Sequence, residues 1–246
     1  VCAAGQQMGH GMSVLHDEEQ QAIAENARRV LAARSDKARL LGLLERTGSY
    51  DEAFWHTVTG QGWTGIGVAE EHGGIGLGLV EMGLVAQASG SATAGAPFLA
   101  PGYAAAAALA GCRDAGLAAR WLPRVASGAA TAAIALAGRS APLPPVATVT
   151  LSGGALHGTS HGVAGGLFAD IALVWAAGDG APVLALTELA DVDRRAIHSF
   201  DNSRGHADLV FTATPATVLA EGAAARALAL GTLARLAVVT AHEQVG

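Results

Sequence analysis

A glycine cluster formed by Gly73, Gly74, Gly76 and Gly78 is the first motif that bears on chemistry. A loop that binds the pyrophosphate of a dinucleotide uses the spacing G-x-G-x-x-G between a strand and a helix, which lets the backbone approach the phosphates. With Gly74 and Gly76 as the first two glycines, the third glycine position is occupied by Leu79. The spacing therefore excludes this kind of dinucleotide site, and the cluster is interpreted as a structural turn, with direct contact to a ligand as the alternative.

Carboxylates that can act as a general base are sparse near the C-terminal end of the sequence. No Asp or Glu lies between Gly222 and His242. Glu243 follows in a helical pattern and is predicted to be a solvated helix residue. Asp201 and Arg204 lie three positions apart, a spacing that allows a local ion pair.

The histidines do not follow the spacing of a metal site, and none has an obvious carboxylate partner in the sequence. They are His157, His161, His198 and His206. We therefore expect no metal site. Arg194 and Arg195 are predicted to be exposed loop charges.

Composition excludes several classes of function. The net charge of −6, with dispersed Lys and Arg residues, provides no basic surface for a nucleic acid. The only cysteines are Cys2 and Cys112, so a disulfide framework is excluded and a reducing cytoplasm fits best. The uncharged run 82–112 exceeds the roughly 20 residues that a membrane helix needs, but Pro97 and Pro101 interrupt it. We therefore expect buried helices rather than a membrane span.

The elements that position these residues are helical in the first half of the chain. Residues 1–12 lack apolar periodicity and are typical of an expression leader. Over 17–33, apolar residues recur at helical spacing behind an acidic first turn, which predicts an amphipathic helix. Further helices are predicted at 37–46, 51–61, 79–87, 103–109 and 116–125. Residues 13–128 are therefore predicted to form an all-α domain.

The second half of the chain changes to short β-prone runs separated by glycine or proline. Strands are predicted at 132–136, 147–152, 171–176, 182–187 and 208–212. No intervening stretch is long enough for a crossover helix at each step, so the domain 129–215 is predicted to be antiparallel β. Residues 216–246 then begin a C-terminal helical domain. The predicted fold class is α+β and multidomain.

This order of domains resembles the acyl-CoA dehydrogenase family, which has an N-terminal helical domain, a middle β-barrel-like domain and a C-terminal four-helix domain. Residues 62–77 resemble the family signature "GW-gl-vPEe-GG-G", with Ala69 at the usual proline position. Residues 122–128 resemble its "LP-la-G" helix end, and 169–174 match its "AD-lvv" strand. Residues 200–211 resemble "lD-tR…v-fd". The resemblance covers residues 14–246 and implies that the native polypeptide is longer.

The resemblance also implies a flavin site on the middle domain. The family's strand ending in "L-T-E" corresponds to Leu136, Ala137 and Gly138, where the threonine and glutamate side chains are absent. A backbone N–H can still serve a phosphate there. These three residues are the first candidate contacts with FAD.

A second candidate contact with FAD is implied by the family's triplet of an aromatic residue, an apolar residue and a hydroxyl residue. By register, the corresponding positions are Gly162, Val163 and Ala164, which lack both the aromatic ring and the hydroxyl. A shift of one residue would bring Ser160 or His161 there instead.

The family's reaction needs a glutamate that removes the α-proton of an acyl-CoA while the flavin accepts the β-hydride. That base is expected beyond Gly246 or in a partner, so the chain is predicted to contain no catalytic residue. Arg204 is implied to lie near the CoA nucleotide, with a local pairing role as the alternative. The small residues Gly83, Ala86 and Ala88 are predicted to serve close helix packing, although a bulky ligand is the alternative.

Two functions follow from the resemblance. The first is an FAD-dependent acyl-CoA dehydrogenase subunit of lipid or sterol side-chain catabolism, with electron-transfer flavoprotein as acceptor. The second is a non-catalytic subunit that scaffolds an active paralogue in a heterotetramer, as short alanine-rich family members do. Missing flavin hydroxyls favour the second function, and whole-chain resemblance favours the first. A homotetramer or a heterotetramer is expected in the cytoplasm.

Overall fold

The computed structural model describes residues 16–33, 36–45, 48, 50–92, 99–136, 143–144, 146–199 and 202–246. The described N-terminal part is helical. Its helices are α1 Glu18–Ala32, α2 Lys37–Glu45, α3 Glu52–Gly60, α4 Leu79–Ser91, α5 Leu99–Ala110 and α6 Ala115–Ala126. The starts of α1, α3 and α6 follow from the sequence, because Asp17, Asp51 and Asp114 each accept a hydrogen bond from a backbone N–H in the first turn.

The glycine-rich segment between α3 and α4 folds back on itself as a structural turn. Gly62 and Gly73 adopt left-handed φ angles of 72° and 78°, which glycine reaches without steric cost. The N–H of Ile75 donates to the carbonyl of Gly65 at 2.9 Å, and that of Leu77 donates to Ile66 at 2.8 Å. These long-range bonds close the loop, as its interpretation as a turn predicts.

The strands of the β domain are β1 Ala132–Ala135, β2 Val149–Ser152, β3 Ala155–Val163, β4 Ile171–Ala177, β5 Pro182–Glu188, β6 Asp193–Ala196, β7 Ala207–Pro215 and β8 Thr217–Glu221. They form one sheet with the order β6-β7-β3-β2-β4-β5-β8, and β1 pairs with β4 beside β2. The predicted α+β class is confirmed. The sheet is mostly antiparallel, but β1 and β2 both run parallel to β4 along the same edge.

Three strands, β3, β6 and β8, lie outside the predicted runs. β3 contains Gly158 at φ 118° and two register shifts against β7, so its pattern does not alternate cleanly. β6 is a charged edge strand that contains Arg194 and Arg195. β8 pairs with β5 beyond the predicted boundary at residue 215, so the sheet continues to Glu221.

The part of the sheet formed by β1, β4 and β5 is buried on both faces. Ile134, Leu136 and Leu173 belong to a core shared with α5 and α6, whereas Ala135 and Val174 face a second core within the β domain. Side chains of a strand alternate between the two faces of a sheet, so β1 and β4 contribute to both cores. This explains why their sequences are continuously apolar.

Helix α7, Gly222–Val245, packs against α4, α5 and β5. It is the one helix in the described ranges that is long and apolar enough to cross a membrane by length and composition, with a mean hydropathy of 1.4. Core helices of globular domains pass the same test. Part of its surface remains uncovered, because Leu230 and Val238 are 41% and 39% exposed.

Helices α4 and α7 approach each other through glycines. A Cβ on Gly83 would lie 2.8 Å from the His242 ring, and one on Gly90 would overlap the Glu243 carbonyl oxygen. Met82 and Val85 of α4 share a core with Val239 of α7. At Gly83 the prediction of close helix packing is therefore confirmed.

Candidate functional site

The predicted residues Gly162, Val163 and Ala164 lie where β3 ends and the loop to β4 begins. The N–H of Gly165 donates to the Arg204 carbonyl at 2.9 Å, so the structure brings this loop and the Arg204 turn together. Val163 is 1% exposed and belongs to the core of the β domain. Ala164 is half-buried and has no side-chain donor.

Asp208 on β7 holds the end of β3. The Gly162 N–H donates to Asp208 Oδ1 at 2.9 Å, and His161 Nδ1 lies 3.0 Å from Asp208 Oδ2. The expectation that the histidines lack carboxylate partners is therefore wrong for His161, because antiparallel pairing of β3 with β7 brings distant residues side by side. Partial burial alone would raise the Asp208 pKa. The bonds from Gly162 and His161, with the positive charge of Arg195, outweigh burial and lower that pKa.

We expect Asp208 to stabilise the fold in a pH-dependent way. Since its folded pKa is lowered, its contribution is fully present above the unfolded value of about 3.9 and is lost as pH falls through the folded pKa. Asp208→Asn should therefore be less stable than the wild type at pH 7, and the gap should shrink below pH about 4. Urea unfolding at several pH values measures the gap, with the exposed-turn variant Asp179→Asn as a charge-matched control. A gap that grows as pH falls would contradict this.

Arg204 and Glu243 form a bidentate ion pair between the β domain and α7. Nη1 lies 3.0 Å from Oε2, and Nη2 lies 3.0 Å from Oε1. The Glu243 side chain is 9% exposed and that of Arg204 is 35% exposed. The prediction that Glu243 is solvated is wrong, because α7 docks its last turns against α4 beside the Arg204 turn. Asp201, the predicted local partner of Arg204, lies outside the described residues.

The other predicted flavin contact lies at the end of β1. Leu136 is 1% exposed and packs in the core shared with the helices. Ala137 and Gly138 lie outside the described residues. Of these three residues, the structure therefore describes only the apolar, buried side chain of Leu136.

Arg194 is not an exposed loop charge. Its guanidinium donates to the carbonyls of Leu189 at 2.7 Å and Leu167 at 3.0 Å. Burial lowers the pKa of Arg194, against a smaller opposing effect of Asp170. Arg195 is exposed as predicted, with a side chain that is 66% exposed beside Asp193, but it lies in the edge strand β6 rather than in a loop. Among the described residues, no cluster of His, Cys, Asp or Glu could hold a metal ion.

The described candidate residues do not fit a flavin by themselves. The Gly162 N–H and the His161 ring are both engaged by Asp208. Ser160, the other candidate after a one-residue shift, is 1% exposed, and its Oγ is enclosed without a hydrogen-bond partner. The Gly162 N–H and His161 Nδ1 are therefore committed to Asp208, and the Ser160 hydroxyl is enclosed.

A cavity of about 420 Å³ lies at the turn between β4 and β5 and was not predicted. Trp175, Gly178, Pro182 and Arg226 line it. Arg226 is an exposed cation in the second turn of α7. The sequence contains little indication of this cavity, because a single arginine is not a recognisable binding motif until folding places it beside a cavity.

Comparisons with known proteins agree with the domain order. Residues 17–129 match the model of the acyl-CoA dehydrogenase N-terminal domain. A search of curated proteins finds no match.

Solved structures similar to the chain include a variant of the Tcur3481-Tcur3483 steroid ACAD, with 28% identity and a TM-score of 0.76 over 90% of this chain. The ChsE4-ChsE5 complex from Mycobacterium tuberculosis has 21% identity and a TM-score of 0.81 over 95% of this chain. A glutaryl-CoA dehydrogenase from Mycobacterium smegmatis, in complex with FADH2, has 21% identity and a TM-score of 0.73 over 90%.

The chain spans 62%, 64% and 60% of these three solved chains, respectively. The matched N-terminal domain and the shared fold agree with each other. Residues 17–129 of this chain form an acyl-CoA dehydrogenase N-terminal domain, and the chain shares the fold of solved acyl-CoA dehydrogenases.

Proposed function

We propose that this chain is a subunit of a heteromeric acyl-CoA dehydrogenase and supports an active, FAD-bearing paralogue without itself being the catalyst. The observation that carries the proposal is the closed network in which Asp208 engages both the Gly162 N–H and the His161 ring. It commits the Gly162 N–H and His161 Nδ1 to Asp208 rather than to a flavin. Glu243 is likewise held by Arg204 and does not serve as a free base.

The uncovered face of α7 supports a helical partner. Exposed residues Ala227, Leu230, Ala234, Val238 and Ala241 recur at spacings of three or four, so they form one apolar stripe along the helix. Small side chains in such a stripe allow close packing of another helix. The occupant proposed here is a helix of the paralogous subunit. One similar solved structure is a complex of ChsE4 with ChsE5, which supports a paired arrangement.

The reaction of the complex is the α,β-dehydrogenation of an acyl-CoA thioester in lipid or sterol side-chain catabolism. The complex works in the cytoplasm as a heterotetramer and passes electrons to an electron-transfer flavoprotein. The identity of the Tcur3481-Tcur3483 relative as a steroid ACAD supports a sterol-type substrate.

A second candidate is that the chain is itself an FAD-dependent dehydrogenase subunit. The cavity at the β4–β5 turn favours it, because Arg226 and the indole of Trp175 suit an anionic, aromatic nucleotide such as that of CoA. Under this proposal Arg226, rather than the ion-paired Arg204, binds the CoA phosphates.

Flavin content distinguishes the two candidates. The chain purified alone should be colourless, because the scaffold proposal places the flavin on the paralogue. Co-expression with an acyl-CoA dehydrogenase paralogue should yield a complex that has the visible absorbance of oxidised flavin and reduces a dye acceptor with acyl-CoA. The control is the paralogue purified alone. A yellow, active preparation of this chain alone would refute the scaffold proposal and establish the second candidate.

A further inference from the structure

A cavity of about 370 Å³ lies where the start of α3 and the turn after α6 meet the residues just before β1 and β4. This volume falls within the range of about 300–1,000 Å³ that is usual for small-molecule pockets. None of the residues considered above as contacts for flavin or CoA lines it. Its wall combines three aromatic residues with two carboxylates, namely Tyr50, Trp55, Phe168, Glu52 and Asp170.

The aromatic part of the wall is held in place by the surrounding structure. The centroids of the Tyr50 and Phe168 rings lie 5.1 Å apart, and the rings are tilted by 54°. A Cβ on Gly205 would overlap the Phe168 ring, so that ring packs directly against backbone. Trp55 is 8% exposed and belongs to a core of the helical part. The fold therefore positions these rings before any ligand binds.

The two carboxylates of the wall are accessible. Asp170 is fixed by the residue before β1, because its Oδ2 accepts from the Thr131 N–H at 2.7 Å and from the Thr131 hydroxyl at 2.9 Å. Within the described part of the chain, both of these bonds go to Oδ2, which leaves Oδ1 as an acceptor for a ligand. Glu52 and Asp170 are both exposed residues.

The charge of the wall is negative. Burial raises the pKa of the Tyr50 hydroxyl most, and the charges of Glu52 and Asp170 raise that pKa further, so both carboxylates act on the same side chain. The described lining contains no Lys or Arg, and His56 is its one residue that can become a cation. Arg194 interacts with Asp170, but its guanidinium donates to backbone carbonyls and does not line the cavity. The wall therefore favours a cation over an anion.

We propose that this cavity binds a small organic cation with an alkylated ammonium head. Aromatic rings attract such a head, because its alkyl groups pack on the rings while its positive charge interacts with their π electrons. The two carboxylates add a direct attraction of opposite charges. A metal ion is a poorer occupant, since no group of three His, Cys, Asp or Glu in the described ranges could hold one. The site is separate from the proposed dehydrogenase role, because it involves no flavin or CoA contact.

The test is a titration of the ¹⁵N-labelled full chain, followed by the indole N–H signal of Trp55, which is assigned by its loss in Trp55→Phe. The probes are choline and 3,3-dimethylbutan-1-ol, which share a shape and differ in charge. Choline should shift the signal saturably, and the neutral alcohol should bind roughly tenfold more weakly. Phosphocholine carries the same head beside a phosphate, as a lipid head group does. It should also bind more weakly than choline, because its phosphate is repelled by the carboxylates.

Glu52→Gln should weaken choline binding roughly threefold, since it removes one of the two carboxylates at an exposed position. Glu18→Gln is the matched control, because Glu18 is likewise the exposed first residue of a helix behind a capping aspartate but does not line the cavity. Tyr50→Leu should weaken binding roughly tenfold, whereas Tyr50→Phe keeps the ring and should retain it.

Four results would each overturn the proposal. They are an unmoved Trp55 signal with choline, equal binding of choline and the neutral alcohol, tighter binding of phosphocholine than of choline, and equal choline binding by Glu52→Gln and Glu18→Gln. Glu52→Gln is conservative and exposed, so the comparison holds even if Tyr50→Leu fails to fold.

Discussion

Gly90→Ala should destabilise the protein by about 3 kcal/mol, the upper part of the usual range for overpacking. The added Cβ would overlap the carbonyl oxygen of Glu243, and a helical backbone cannot rotate away as a side chain can. Helices α4 and α7 must separate to admit the methyl group. Urea unfolding of the variant measures the loss of stability.

Gly231→Ala is the matched control for this substitution. Gly231 lies within α7 with no atom within 4 Å of an added Cβ, so alanine should stabilise the protein by about 0.8 kcal/mol through helix propensity. Gly83→Ala should fall between the two, because it meets only the movable ring of His242 at 2.8 Å. Equal stability of Gly90→Ala and Gly231→Ala would show that α4 and α7 do not pack in this way.

Glu243→Gln should cost about 2 kcal/mol, because it leaves Arg204 without its charged partner at a partly buried position. The neutral amide keeps the shape of the side chain but accepts from only one of the two guanidinium nitrogens. A double-mutant cycle with Arg204→Met isolates the pairwise energy from other effects of each substitution. The free energy of unfolding by urea is measured for all four proteins.

The exposed pair of Arg195 and Asp193 provides the control cycle, with side chains that are 66% and 58% exposed. Exposed ion pairs contribute about 0–1 kcal/mol, so its coupling energy should be clearly smaller. Coupling between Arg204 and Glu243 no larger than that of the control would mean that the pair does not join α7 to the β domain.

Local patterns predicted much of the fold. Capping aspartates and apolar periodicity located α1 and α3 within a residue or two, because these signals act between near neighbours. The continuous apolar runs of β4 and β5 were also predicted, since both strands are buried on two faces. The irregular β3 was missed because its register shifts break the apolar alternation, and β6 was missed because it is a charged edge strand without an apolar pattern.

The candidate site was less predictable, because its bonds join residues far apart in the chain. No residue near Gly162 in the sequence indicates that its N–H will donate to Asp208, and none near Glu243 indicates an ion pair with Arg204. The first contact forms only when β3 pairs with β7, and the second forms only when α7 docks.

The sequence by itself predicted a helical part followed by a β part, the signature at 62–77 and hence the resemblance to acyl-CoA dehydrogenases, because these depend on residue type and local spacing. Only the tertiary structure decided which polar groups remain available. It paired Asp208 with the Gly162 N–H and with His161 beside the predicted flavin loop, and it paired Glu243 with Arg204. Hydrogen bonds are satisfied in space rather than along the chain, so the chemistry of this site follows from packing.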